Sequence, residues 1–337
     1  MASGKPRRPT IDDVAARAGV SSAAVSFAVN GRPGVGEDTR RRILAAAEEL
    51  GWRPSASARA LTEARSRAVG LLLSRSLDQL EVDPFFVRFL AGIERTLARS
   101  DHDLVLRVAE EIEPVAYARL AASGRVDGFL LCDVEVDDPR FRVLADSGVP
   151  AVVAGRPVSP CPFPALETEH ADGMRMVTEH LLELGHRDIA FAGGAAHLEH
   201  VQARLVSWKG ALAAAGVRPG PVAHTPAEAV ALLDHGPTAV VHTSDGLAAA
   251  CLAAARARGL SVPEDLSVTG FDDSPLAALA SPPLTSVRVD YAGFGESATS
   301  ALLAAIAREP APPYRPPVAE LVVRASTAAP SIASAHA

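Results

Sequence analysis

The apolar positions of the chain follow two periods in succession. In the first 50 residues they keep helical spacing, with Ile11, Val14, Ala15 and Ala18 as the first set. "TIDD" places Thr10 three residues ahead of Asp13, the spacing of a capping box, and Gly19 behind the set suits a left-handed helix end. A second helix is predicted from about Ser22 to Asn30 with Ser21 as its cap. A third is predicted from about Glu37 to Leu50, with Ile43, Leu44, Ala47 and Leu50 inward. The segment "RPSASARALTEARSR" that follows is polar and reads as a linker with latent helical character.

From Val69 the period changes. Short β-branched or leucine-rich runs ("AVGLLL", "DLVLRV", "VDGFLLC", "VPAVVAG") alternate with helical stretches ("FFVRFLAGIERTLARS", "VAYARLAAS"). The alternation restarts near residue 170 with "GMRMVTEHLLELG", "DIAFAGG", "WKGALAAAG", "TAVVHTS", "GLAAACLAAARARG" and "LSVTGFD". Such βαβ alternation builds parallel sheets with helices on both faces. Its double occurrence predicts two similar α/β lobes, with "SPPLTSVRVDYAGFG" through "AELVVRAST" crossing back between them. From Ala328 the chain is small and polar and is expected to lack fixed structure.

The 337 residues suffice for two or three domains with full cores, and 48% hydrophobic with 22% charged residues is ordinary for a globular protein. No apolar run approaches the roughly 18–20 residues that cross a bilayer. The start "MASGKPRRPT" has no apolar segment behind its basic residues. Cys132, Cys161 and Cys251 lie far apart and are odd in number, against a disulfide framework. The cytoplasm is the expected compartment. The net charge of −7 is unevenly spread: residues 1–67 hold 12 Lys/Arg and 7 Asp/Glu (+5), and the remaining 270 hold 21 and 33 (−12). A basic head on an acidic body fits a head that meets a polyanion.

Within that head "GVSSAAVSFAVNG" (19–31) carries no charge, while Arg17, Arg32, Arg40, Arg41 and Arg42 flank it. Two helices joined by a tight glycine turn suggest a helix-turn-helix. Val25 and Val29 would face the core. Phe27, roughly 200° around the helix from Val25, would point away with Ser22, Ala23, Ser26 and Asn30. A recognition helix enters the major groove with its N-terminal residues at base edges. Small side chains there let the backbone approach, an apolar one can touch a thymine methyl, and cations belong on the flanks beside the phosphates. A plain helical hairpin with Phe27 buried is the other reading of these residues.

The run "PTIDDVAARAGVSSAAVSFAVNGRPGVGEDTRRRILAAAEELGWRPSASARAL" resembles the LacI/GalR family of bacterial transcription regulators. "PFF", "RVDGFLL", "TEHLLELGHRDIAFAGG", "LSVPEDLSVTGFDD", "PPLTSV" and "ELVVRAST" resemble its later landmarks in the same order, so the resemblance covers almost the whole chain. It implies a small all-α helix-turn-helix head (1–52), a hinge segment (53–67), an α/β periplasmic-binding-protein-like core of two lobes with parallel sheets (68–328) and a tail (329–337). The first lobe would span about 68–166 plus 291–315, and the second about 167–290 plus 316–328.

The resemblance also implies a homodimer on near-palindromic double-stranded operator DNA. Ser22, Ala23 and Phe27 would face bases, although many relatives carry a basic or polar residue at the Phe27 position. Thr10, Ser21, Ala24, Ser26 and Asn30 would meet phosphates or support the reading helix. Leu61 would be a minor-groove wedge that bends the duplex, with Arg59 near a phosphate. A small-molecule effector, by this resemblance a sugar, would lie between the lobes against Phe85 or Phe86, Arg156, Arg204, Ser244, Asp272 and Tyr291. Arg204 would open the helix "RLVSWKGAL". A guanidinium fork and a carboxylate together suit a polyhydroxyl ligand. For Asp272 and Asp273 a helix cap is the alternative.

"HLEH" (197–200) sets two histidines three apart without a further ligand at recognisable spacing, so no metal is expected. His180 and His186 straddle a helix end and read as capping or solvated. "AFAGGAA" matches neither the dinucleotide nor the P-loop pattern, and no nucleophile elbow occurs. Neither a cofactor nor catalysis is expected. The expected function is a ligand-responsive DNA-binding transcriptional regulator acting as a repressor. A solute-binding protein and an α/β enzyme are the alternatives.

Overall fold

The computed structural model describes residues 7, 9–29, 32–52, 65–75, 80 and 84–331. The chain forms two compact units, Met1–Ser66 and Arg67–Ala337. In the first, α1 (Ile11–Ala18), α2 (Ser22–Val29) and α3 (Glu37–Glu49) enclose a small core of Val14, Ala15, Val25, Ala28, Ile43, Ala46 and Ala47. The capping box forms: the Asp13 carboxylate accepts the Thr10 N–H at 2.7 Å, and the Asp13 N–H donates to the Thr10 hydroxyl at 3.4 Å. Gly19 ends α1 at φ 67, a backbone turn that a Cβ would strain. Leu44 is not inward as expected but 48% exposed. At 3.6 residues per turn it falls off the stripe of Ile43, Ala46, Ala47 and Leu50, and Ala46 takes the buried place. Phe27 points outward, which sets aside the buried-hairpin reading.

The second unit holds two parallel sheets. The first lobe has five strands in the order β2-β1-β3-β4-β5: β1 (Ala68–Ser74), β2 (Asp103–Ala109), β3 (Gly128–Leu131), β4 (Ala151–Ala154) and β5 (Ala165–Leu166). Its helices are α4 (Pro84–Arg99), α5 (Val115–Ala122) and α6 (Pro139–Ser147). In the second lobe β6 (Ile189–Ala192), β7 (Val222–Ala223), β8 (Ala239–His242) and β9 (Ser267–Thr269) run in the order β7-β6-β8-β9. Around them lie α7 (His170–Glu183), α8 (Glu199–Ala214), α9 (Pro226–Ala231), α10 (Asp245–Ala257) and α11 (Pro275–Leu279). β3, β4, β6 and β8 are buried along their whole length, which is why they read as unbroken apolar runs. A pair outside the expected parallel pattern, β10 (Ser286–Arg288) with β11 (Glu320–Val322), is antiparallel and is bridged to the end of β9 through Thr269 and Thr285.

Between β10 and β11 the chain crosses to the first lobe as α12 (Tyr291–Ala307). Phe294, Ala298, Leu302 and Ile306 join Phe86, Phe89, Ile93 and Leu97 in one core. α4 and α12 approach so closely that a Cβ on Gly92 would lie 2.0 Å from the Ala292 carbonyl oxygen. His186 is buried, not solvated: its ring bonds the Thr238 hydroxyl at 2.9 Å and the Ala328 carbonyl at 2.8 Å. Ala328 is therefore fixed to the second lobe, against the expectation of a loose chain from that residue. The buried polar groups at the start of β9 need partners, and the segment around Ala328 supplies them to Ser267.

Two stability outcomes follow from this packing. Gly92→Ala should cost about 1–3 kcal/mol or more by forcing α4 from α12, whereas Gly210→Ala, in open space on α8, should stabilise by about 0.5–1 kcal/mol; urea midpoints of the two variants test the contrast. His242 is buried at the end of β8, its Nδ1–H donating to the Thr269 carbonyl at 3.0 Å, and burial pushes its imidazole down to about 4. A lowered histidine contributes stability above its unfolded pKa of about 6.5 and loses it as pH falls through the folded value. His242→Gln should therefore flatten the fall in Tm between pH 6.5 and 4; a wild-type and variant Tm that decline in parallel would contradict it.

Candidate functional site

The first unit offers a surface for a polyanion. α1 and α2 meet at Val14, Val25 and Ala28, which leaves Ala23 and Phe27 on the outward side of α2. Phe27 is 40% exposed, and its ring edge lies against Gly34 in the loop ahead of α3. Arg32 ties that loop back to α2, its N–H donating to the Phe27 carbonyl at 2.9 Å. Ser21 caps α2, its hydroxyl accepting from the Ala24 N–H at 3.2 Å. Ala24 and Ser26 are half-buried on the flanks of the helix. Ser22 is also half-buried and gives its hydroxyl proton to Asp12 at 2.6 Å, a partner that spacing along one helix could not reveal. Thr10 is exposed and shares its hydroxyl with Asp13. Hydrogen bonds from Thr10 and Arg7 hold the Asp13 carboxyl at about 2. Asn30, Arg59, Leu61 and residues 53–64 of the expected hinge lie outside the described residues.

In the second unit a polar group is buried where the lobes meet. Arg204 is 6% exposed, its guanidinium 3.9 Å above the Phe271 ring and donating to the Thr243 carbonyl at 2.7 Å. It sits inside α8, which begins earlier than expected, at Glu199. Asp272, at the end of the β9 segment with φ 95, accepts the Tyr291 hydroxyl at 2.8 Å. Arg88 of α4 crosses to the second lobe and donates to the carbonyls of Asp272 and Asp273 at 2.9 and 2.8 Å. Asp273 does not cap a helix; Arg324 and Arg288 grip its carboxylate at 2.5 and 2.8 Å. Phe85 packs edge-on to Tyr291 at 4.9 Å.

Other expected residues serve otherwise. Phe86 is fully buried, its ring covered by the Arg75 guanidinium at 4.6 Å, so of the aromatic pair Phe85 is the one partly open. Ser244 caps α10 by accepting from the Leu247 N–H at 3.3 Å. Arg156 lies at the surface, 74% exposed and 3.7 Å from Glu167, outside the buried group.

Besides Arg88, the group holds residues that were not expected in it. Arg75, just after β1, makes a two-pronged ion pair with Asp133 after β3, at 2.7 and 2.6 Å. Burial would raise the Asp133 carboxyl, but the charge and hydrogen bonds of Arg75 hold it below its usual range. His200, four residues before Arg204 on α8, is pushed down to about 4 by burial and then by Arg204. Behind them Arg140 donates to the carbonyls of Cys132 and Asp133, each at 3.0 Å, and is itself clamped by buried Asp138. The only sequence signal for Arg75 and Asp133 was their place at strand ends that open on one crevice. The assembled group can give and take hydrogen bonds on a polyhydroxyl ligand beside an aromatic edge. Among the described residues no cluster suited to a metal ion occurs.

Comparisons with known proteins cover both units. A model of the bacterial regulatory proteins of the lacI family matches residues 10–55, and one of a periplasmic binding protein-like domain matches residues 178–327. The HTH-type transcriptional regulator CelR of Thermobifida fusca is 35% identical over 326 residues, 92% of this chain and 95% of that protein. MalR of Streptomyces coelicolor is 35% identical over 343 residues, 94% of this chain and 96% of that one. Among solved structures, the transcriptional regulator CelR–cellobiose complex is similar with a TM-score of 0.70 at 33% identity, over 95% of this chain and all of its own. The lac repressor dimer bound to operator and the anti-inducer ONPF is similar with a TM-score of 0.83 at 26% identity, over 96% of this chain and all of its own.

Proposed function

The chain belongs to the lacI family of bacterial regulatory proteins and is a ligand-responsive DNA-binding transcriptional regulator, and from that premise we propose a homodimeric repressor that leaves its operator when a sugar binds between the lobes. It acts in the cytoplasm and catalyses nothing. Among the described residues no helix is long and apolar enough to cross a membrane. The sugar is an oligosaccharide of the glucose series, a reading supported by the cellobiose of the CelR complex. Arg204 and Asp272 bind its hydroxyls, and Phe85 with Tyr291 packs on its apolar face. Ser22, Ala23 and Phe27 face the bases, and Leu61 is the minor-groove wedge.

The observation that carries this reading is the pair Arg204 and Asp272, a donor fork and an acceptor buried where two lobes meet. Burial on that scale makes the group sensitive to any ligand that exchanges hydrogen bonds with it. Operator DNA and sugar then favour different lobe arrangements, and each weakens the binding of the other by the same factor, a coupling of about 1–3 kcal/mol.

The test is fluorescence anisotropy of the full chain on operator fragments, titrated with cellobiose, maltose and a wider sugar panel. Wild-type operator affinity should fall roughly 5–150-fold with the effective sugar. Arg204→Met, which keeps an aliphatic stem and removes the guanidinium, should bind operator as before and lose the response; an unchanged response removes Arg204 from the sugar site. Leu61→Ala should weaken operator binding and leave sugar affinity intact, and equal operator affinity would dismiss the wedge.

A further inference from the structure

The Ser22 hydroxyl lies 2.6 Å from Asp12 Oδ1. A carboxylate has lone pairs and no proton to give, so the hydrogen between these oxygens belongs to Ser22. That fixes the polarity of the Ser22 oxygen. Its proton points back to α1, and what remains for a ligand is acceptor capacity. Asp12, exposed on the first turn of α1, is an acceptor as well. The two outward residues beside them, Ala23 and Phe27, carry no side-chain donor. The tip of the reading helix is thus a patch of acceptors beside apolar surface, in a head whose cations stand elsewhere.

Base edges in the major groove are sorted by the same property. Guanine shows two acceptors and thymine an acceptor and a methyl; adenine shows a donor beside an acceptor, and cytosine a donor alone. Lone pairs set against O6, N7 or O4 repel, whereas an exocyclic amino group satisfies both sides. Resting on the operator-binding reading above, we propose that the Ser22–Asp12 pair is a specificity-determining element that selects an amino-bearing base in each half-site, cytosine ahead of adenine. Adenine ranks second because its N7 would face the second acceptor of the pair. Asp12 thereby acts twice: it accepts from the base edge, and it keeps Ser22 from turning round to donate. Its charge also disfavours a register in which a phosphate lies beside the tip.

The experiment is selection of operators from a randomised duplex library by the full-length wild type, Ser22→Ala, Asp12→Ala and Asp12→Asn, each checked for an unchanged thermal unfolding profile. The wild type should show a half-site position held by cytosine, then adenine, with guanine and thymine disfavoured roughly tenfold. Ser22→Ala and Asp12→Ala should relax preference at that same position and leave the other positions unchanged. Asp12→Asn, whose amide N–H can donate to the Ser22 oxygen and turn its proton outward, or donate to the base itself, should move the preference towards guanine or thymine there. A wild-type profile with guanine or thymine wherever Ser22→Ala acts, identical profiles for all four proteins, or a uniform loss across all positions overturns the inference while operator binding stands. Failure of the wild type to enrich any duplex overturns the operator reading and this inference with it.

Discussion

Arg204 keeps its guanidinium 3.9 Å above the Phe271 ring, gives a hydrogen bond to the Thr243 carbonyl and is almost wholly removed from water. A charge in that position is tolerable when the charged groups around it are paired, and the crevice between the lobes pairs them. Asp133 is matched by Arg75 and Asp272 by the Tyr291 hydroxyl, while Arg88 reaches from the first lobe to two carbonyls of the second. A ligand entering here cannot simply add contacts. It has to replace existing ones, and the replacement is as good as its fit to one particular arrangement of the lobes. Equal fit to two arrangements would shift nothing. On the reading proposed above, the response to a sugar is a consequence of burying charge where two lobes meet.

The first unit solves the opposite problem. Its charges stay in water, where Arg17 pairs with Glu49 at 2.6 Å and Arg41 with Asp38, all well exposed. Exposed pairs of this kind contribute about 0–1 kcal/mol, so exchanging a carboxylate for a phosphate costs little and releases counterions from the duplex. The uncharged outward side of α2 needs no such exchange. Ala23 and Phe27 hold no tightly bound hydration shell, so on the operator-binding reading proposed above this face meets a groove at little desolvation cost, while Asp12 beside Ser22 carries a charge at its edge.

What could be read from the sequence divides along the same physical line. Local patterns were legible. The capping box at Thr10, the glycine stop at Gly19, the outward Phe27 and both sets of parallel strands follow from spacing within a few residues. Pairings between distant segments were not. Arg75 and Asp133 stand 58 positions apart, and no periodicity connects them. The choice of Phe85 over Phe86 depends on which ring Arg75 covers, a tertiary fact. Arg156 was a cleft candidate by the family resemblance alone, and its side chain stands at the surface. Leu44 failed for a local reason, one step of 100° off its stripe, and Ala328 because buried Ser267 at the start of β9 needed partners from a segment 61 residues on.

Helix α8 joins these themes. Its first residue, Glu199, closes the rim of the crevice: the Glu199 N–H donates to the Val134 carbonyl at 3.1 Å, and its carboxylate accepts from the Val158 N–H at 2.9 Å, both in the first lobe. Burial raises the Glu199 carboxyl above its ordinary range. Arg204, on the floor, follows roughly 7.5 Å along the same axis, with His200 between them. A helix of 16 residues moves as one piece, and its hydrogen-bond ladder does not stretch to let one turn shift alone. The Glu199 contacts with the first lobe and the Arg204 stack on Phe271 are thereby held by a single helix. On the sugar-binding reading proposed above, the buried floor and the rim belong to one rigid element, so a ligand that moves Arg204 acts on the Glu199 contacts as well.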